Sequence, residues 1–176
     1  HAASGMKILA APSRPEMAER VTGEQFAKVL EYLRRVYSYI IVDTSKYLTD
    51  IVLAALDVAD VILLITTQDI PSIKNSRSFL ALLDGLHINK HRILFMMNRY
   101  DKRISISPEK IGESLRQEVV SVIPLDEKTV INAVNRGVPF MLDNKSQPIV
   151  KSMLGLAEAV RGRLIQLETL QVEEVK

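Results

Sequence analysis

The sequence contains no cysteine. That absence removes disulfides, thiolate metal sites and cysteine nucleophiles together, and it suits a reducing compartment. Charge of one sign is not in excess either. With 23 Lys and Arg against 21 Asp and Glu, the formal net charge is +2, so the total implies neither a dedicated nucleic-acid binder nor an acidic solvating chain. Long hydrophobic runs are also missing. Apolar runs such as residues 61–65 and 93–97 fall far short of the ~18 apolar residues of a membrane span. A soluble, cytoplasmic protein is therefore expected. The first residues lack the basic start, apolar middle and cleavage site of a signal peptide, and position 1 is His1. The chain is expected to start inside a longer gene product or after a tag.

What is present is enough apolar residue for a core: 47% of 176 residues are hydrophobic, the length of one domain. One α/β domain over residues 1–167 is expected, with residues 168–176 as a frayed tail. Short β-branched runs recur at 8–11, 39–44, 61–67, 93–98 and 119–124, several apolar on both faces, with helical patterns between them. That is the pattern of a mainly parallel sheet covered by helices on both sides. Helix starts are read at Thr22 with Gln25 in capping-box spacing, at Thr49 or Asp50, at Ser72, at Ser107 before Pro108, and at Asp126. Gly137 and Pro139 form a stop, and a last helix follows from Pro148.

In open parallel sheets ligands bind beyond the carboxyl ends of the strands. The polar residues there are Asp43, Thr66-Thr67-Gln68-Asp69, Asn98-Arg99-Tyr100-Asp101 and Pro124-Leu125-Asp126. Each has an ordinary reading as a turn or cap, and the Thr66–Asp69 stretch reads as turn chemistry alone. Asp126 is evenly balanced between an N-cap and a ligand role. His87 and His91 share the i, i+4 spacing of a helical metal pair, but Gly85 and Asn89 point to a loop and no zincin glutamate lies between them. No nucleophile elbow is present.

The combination of an apolar strand ending in Asp43, the stretch Ala54-Ala55-Leu56-Asp57-Val58-Ala59-Asp60 before a strand, Asn98-Arg99, Ile123-Pro124 and Arg136-Gly137-Val138-Pro139 resembles the MinD/ParA family of deviant-Walker P-loop ATPases. The likeness covers nearly the whole chain. Ser4-Gly5-Met6-Lys7-Ile8-Leu9, Ala11-Pro12-Ser13-Arg14-Pro15-Glu16 and Lys74-Asn75 are most similar to the CpaE/TadZ branch, associated with pilus assembly and polar localisation. The resemblance implies ATP and Mg²⁺ as cofactors. It assigns Asp43 a catalytic place in the Mg²⁺ shell, Asn98 the adenine edge, Arg99 the base or ribose, and Pro124, Leu125 and Asp126 backbone contacts to the base. Asp101 matches less securely, and although the tetrad 98–101 is faintly similar to a guanine-reading one, adenine is preferred because Arg99 stands where GTPases have lysine.

Two departures qualify the likeness. None of the seven glycines precedes a lysine and a serine or threonine, so the P-loop, which holds the phosphates and stabilises developing charge, has no counterpart. The expected fold thus lacks its first βα unit, and ATPase activity is expected only if an upstream Walker A segment exists. After Asp43 stands Thr44-Ser45-Lys46-Tyr47-Leu48, without the prolines and glycine of the family's switch loop.

The leading expectation is a CpaE/TadZ-type regulatory ATPase domain that dimerises around ATP, does not hydrolyse it by itself, and places pilus or secretion machinery. The alternatives are a non-catalytic scaffold of the same fold and a ParA-like DNA-positioning ATPase. DNA binding is the less favoured, since it needs Lys90, His91 and Arg92 to form one rim with Arg99, Lys102 and Arg103, and Asp101 interrupts the second cluster. Glu168, Glu173 and Glu174 speak against a basic membrane tail of the MinD kind, leaving membrane association to partners.

Overall fold

The computed structural model describes residues 4–11, 14, 20–142 and 145–174, with side chains through Leu170. Residues 12–13 and 15–16 of the CpaE-like stretch lie outside the described residues. The chain gathers into two compact units, His1–Ala59 and Asp60–Lys176.

In the first unit, helix α1 (Gly23–Arg34) opens with the capping box read from the sequence: the Thr22 hydroxyl accepts from Gln25 N–H at 3.2 Å, and the Gln25 amide oxygen accepts from Thr22 N–H at 3.1 Å. Helix α2 (Asp50–Val58) is capped by Thr49, whose hydroxyl accepts from Val52 N–H. The two helices pack closely because Gly23 has no side chain. A Cβ there would lie 2.7 Å from the Asp50 carbonyl oxygen and 3.3 Å from the Ala54 Cβ. Residues 8–11 and 39–44, both expected as strands, are irregular and carry exposed apolar side chains, Ile41 being 92% exposed. β-branched composition makes a run fit a sheet, but a strand exists only where a neighbour supplies the ladder. Among the described residues neither run is paired.

The second unit contains the other three expected strands, β1 (Ile62–Thr66), β2 (Ile93–Tyr100) and β3 (Val119–Pro124), as a parallel sheet in the order β1-β2-β3. Helices α3 (Ile70–Gly85) and α4 (Pro108–Leu115) provide the crossovers, and α5 (Glu127–Arg136) and α6 (Pro148–Glu174) follow β3. The residues from Glu168 to Glu174 are therefore helical.

β2 is buried at five successive positions, Ile93 to Met97, because both of its faces are covered. On one face Met96 and Ile123 pack with Ile149, Val150 and Leu156 of α6. On the other, Phe95 and Met97 pack with Ile111 and Leu115 of α4 and with Ile73 and Leu80 of α3. Fully burying one such side chain contributes about 1.5–3 kcal/mol, which makes this central strand the anchor of the unit. The α/β class with a parallel sheet between helices is as expected from the sequence.

The helix caps position the strand ends. Ser107 accepts from Lys110 N–H ahead of Pro108, Asp126 caps α5, and Gly137, at φ +62°, ends it in the left-handed turn. One cap differs from expectation. Helix α3 is capped by Asp69, whose carboxylate accepts from Ser72 N–H at 2.9 Å, so Ser72 lies inside the first turn. Pro71 tolerates that turn, where its missing N–H is not needed, and lets the helix begin earlier. Among the described residues no helix is long and apolar enough to cross a membrane.

Candidate functional site

Parallel strands bring their carboxyl ends to one edge of the sheet, so Gln68, the segment 98–101 and Leu125 meet there. The register of β2 against β3 shifts at this edge. Met97 is opposite Val122, yet Tyr100 is opposite Pro124, so β2 carries one residue more than β3 across Asn98 and Arg99. A bulge of this kind re-aims side chains and is common beside binding sites. Within it Arg99 has φ +56°, a left-handed conformation that disfavours side chains by about 1–3 kcal/mol.

The surroundings hold that conformation. The Asn98 side-chain oxygen accepts from Arg99 N–H at 2.9 Å, and the Arg99 guanidinium donates to Glu127 Oε1 at 3.0 Å. Leu125 N–H donates to the Tyr100 carbonyl at 2.8 Å, and Asp101 N–H donates to the Gln68 side-chain oxygen at 2.9 Å. Segment 98–101 is thus braced from β3 on one side and from β1 on the other.

Asn98 is half-buried, and its two amide N–H donors have no partner among the described residues. The side-chain oxygen keeps one lone pair after serving Arg99. One donor and one acceptor in a planar amide complement the N7 acceptor and amino donor of adenine. Asp101 is committed elsewhere: both its oxygens accept from the Arg103 guanidinium, and the Arg103 backbone N–H adds a further bond at 2.9 Å. The Arg103 side chain, followed by its backbone N–H, holds the Asp101 carboxyl at a pKa of about 2. A carboxylate so engaged presents its lone pairs to Arg103.

The other sequence candidates divide. Asp126 accepts from Thr129 N–H at 3.0 Å as the N-cap of α5, and the Leu125 N–H is used by Tyr100, so both act as framework here. Pro124 ends β3 opposite Tyr100. Asp43 belongs to the first unit, where it is exposed on the irregular segment. His87 and His91 lie at a helix end and in a short 3₁₀ turn, and no metal-holding group of side chains occurs among the described residues.

The single basic rim does not form. Lys90, His91 and Arg92 precede β2, while Arg99, Lys102 and Arg103 follow at its other end, about 23 Å away at ~3.3 Å per residue. Sequence distance hid this, because a strand carries its two ends to opposite edges. Lys90 is moreover paired with Asp84, Arg99 with Glu127 and Arg103 with Asp101.

Gln68 is the residue that sequence reading missed. It is 6% exposed, and its amide nitrogen donates to the carbonyls of Ile104 and Ile106, the latter at 2.5 Å. Its place one residue after a threonine pair at a strand end signals only a turn, since its partners lie more than thirty positions away along the chain.

These features define the chain as an α/β protein with a parallel sheet flanked by helices. Known proteins agree. The chain is 26% identical over 155 residues to the septum site-determining protein MinD of Thermotoga maritima, covering 85% of this chain and 56% of that protein. It is 30% identical over 137 residues to MinD of Escherichia coli K12, covering 71% of this chain and 50% of that one. The chain therefore spans about half the length of these relatives. Among solved structures, a ParA family ATPase from Chlorobium tepidum superposes with a TM-score of 0.77 at 20% identity, covering 84% of this chain and 61% of that one. MinD of Pyrococcus horikoshii, complexed with Mg-ADP, gives 0.72 at 21% identity, covering 85% and 60%. No protein-family model matches. The chain is homologous to the MinD/ParA family of P-loop nucleotidases.

Proposed function

We propose that this span is the base-binding part of an ATP-dependent regulatory ATPase of the CpaE/TadZ type, which dimerises around ATP and positions pilus or secretion machinery. The observation that carries the nucleotide reading is Asn98, whose two amide donors have no partner among the described residues, held in a bulge beside a strained Arg99. Asn98 reads the adenine edge, Arg99 flanks the base or ribose, and Pro124, Leu125 and Asp126 form the framework beneath it. The residues present fit a base. They do not include a glycine-rich loop for phosphates, so no hydrolytic step is assigned to this span. Asp43 is the carboxylate available for the outer shell of a nucleotide-bound Mg²⁺, an ion that takes most of its ligands from phosphates and water.

The CpaE/TadZ assignment, with its pilus or secretion partners and polar placement, rests on the likeness of residues 4–16 and 74–75 to that branch. A second reading, a scaffold that kept the fold and lost switching, is favoured by Thr44-Ser45-Lys46-Tyr47-Leu48, where a flexible switch would need glycine. One experiment separates them: titration of a fluorescent ATP analogue with Mg²⁺ against this chain and against an upstream-extended chain, each with and without Asn98→Ala. The ATPase reading expects binding in the extended chain, weakened about tenfold by Asn98→Ala, as for loss of a paired amide at a base edge. Absence of binding in both chains sinks it and leaves the scaffold.

A further inference from the structure

Gln68 makes three long-range hydrogen bonds to one loop, and nothing in the turn it occupies requires them. Its oxygen accepts from Asp101 N–H, immediately after the bulge, and its nitrogen donates to the Ile104 and Ile106 carbonyls, just before α4. A glutamine amide is the side chain whose donor and acceptor can serve both ends of such a loop at once. The loop is also closed from within: Ile104 N–H donates to the Asp101 carbonyl, and Arg103 holds the Asp101 carboxylate. Its position therefore follows the Gln68 side chain, which in turn is fixed by the end of β1.

We infer that Gln68 is a positioning residue for base recognition: by fixing Asp101 it fixes where β2 emerges from its bulge, and hence the orientation of the Asn98 amide. The inference rests on the nucleotide reading above. Two consequences distinguish positioning from general support. Asp101 is three residues from Asn98, so freeing its N–H loosens the bulge and blurs the choice between bases whose edges differ only in donor and acceptor order. The core face formed by α6, with Met96, Val150 and Leu156, is packed independently of Gln68, so β2 itself stays in place.

The test compares Gln68→Ala and Gln68→Glu with Leu156→Ala, a destabilising control on that α6 face. Gln68→Glu keeps the acceptor for Asp101 N–H but sets a carboxylate against two carbonyls. The readouts are the ATP-to-GTP ratio of dissociation constants with Mg²⁺, on the upstream-extended chain, and amide hydrogen exchange at Asp101 and Phe95. Gln68→Ala is expected to reduce the ATP preference about tenfold and to speed exchange at Asp101 but not at Phe95, Gln68→Glu, which keeps the Asp101 acceptor, to give a smaller change in both, and Leu156→Ala to leave the ratio unchanged. A Gln68 variant that binds with the parental ratio overturns the positioning role while leaving the nucleotide reading intact. No nucleotide binding by the parental protein overturns both.

Discussion

Replacing Arg99 separates what its backbone does from what its side chain does. Arg99 has φ +56°, where a residue with a Cβ is disfavoured by about 1–2 kcal/mol relative to glycine. Glycine gains additional freedom in the unfolded chain, which returns roughly 0.5–1 kcal/mol of that advantage. Both Arg99→Gly and Arg99→Ala lose the ion pair with Glu127, whose partners are 62% and 63% exposed and which contributes about 0.5 kcal/mol at most. Arg99→Ala keeps the strain and should fall slightly below the parent in stability. Arg99→Gly sheds the strain and should exceed Arg99→Ala by about 0.5–1 kcal/mol. With a urea slope of about 2 kcal/mol/M, the two midpoints should differ by roughly 0.3–0.5 M, within reach of equilibrium unfolding followed by circular dichroism. A glycine variant no more stable than the alanine variant would show that Arg99 is not strained, and the argument that the bulge is held against its own preference would fail.

Two further outcomes follow from the geometry. The Asp101 carboxyl should titrate near 2 by carbon-13 NMR, and Arg103→Gln should move the midpoint upward, toward the ordinary 3.8. Because the folded value is the lower one, the contribution of this contact to stability is fully present above about pH 4 and fades as pH falls through 2; a parental midpoint near 3.8 would refute the pairing. Gly23→Ala should lower stability by about 1–3 kcal/mol, since its Cβ would meet the Asp50 backbone oxygen at 2.7 Å and backbone yields less readily than a side-chain tip. Melting unchanged from the parent would mean that the starts of α1 and α2 separate freely.

Local signals in the sequence carried a long way. The capping box at Thr22, the Ser107-Pro108 start and the Gly137 stop each depend on neighbours within four residues, and each forms. The runs at 61–67, 93–98 and 119–124 became strands because each finds a partner in the other two. Runs 8–11 and 39–44 have similar composition and no partner among the described residues, and pairing is not written in a run's own composition. The site shows the same division. Asn98 stands out in the sequence as a polar residue after an apolar strand, whereas Gln68 bonds to carbonyls far along the chain. The supposed basic rim failed for the converse reason: clusters near in sequence lie at opposite ends of one strand.

The five buried residues of β2 also bear on how Asn98 comes to be where it is. In a strand that alternates polar and apolar residues, a slip of one position would bury the wrong set and be rejected at once. Ile93, Leu94, Phe95, Met96 and Met97 offer no such check, since either face accepts any of them by polarity. What rejects the slip is shape: Phe95 must meet α4 and Met96 must meet α6, and interchanging them would leave a void on one side and a clash on the other. The alignment of the Asn98 amide is thus encoded in the volumes of β2's own side chains, so a substitution at Phe95 or Met96 that preserves hydrophobicity but not size can shift a surface residue it never touches, whereas a truncation on the covering α6 leaves the strand's register as it was.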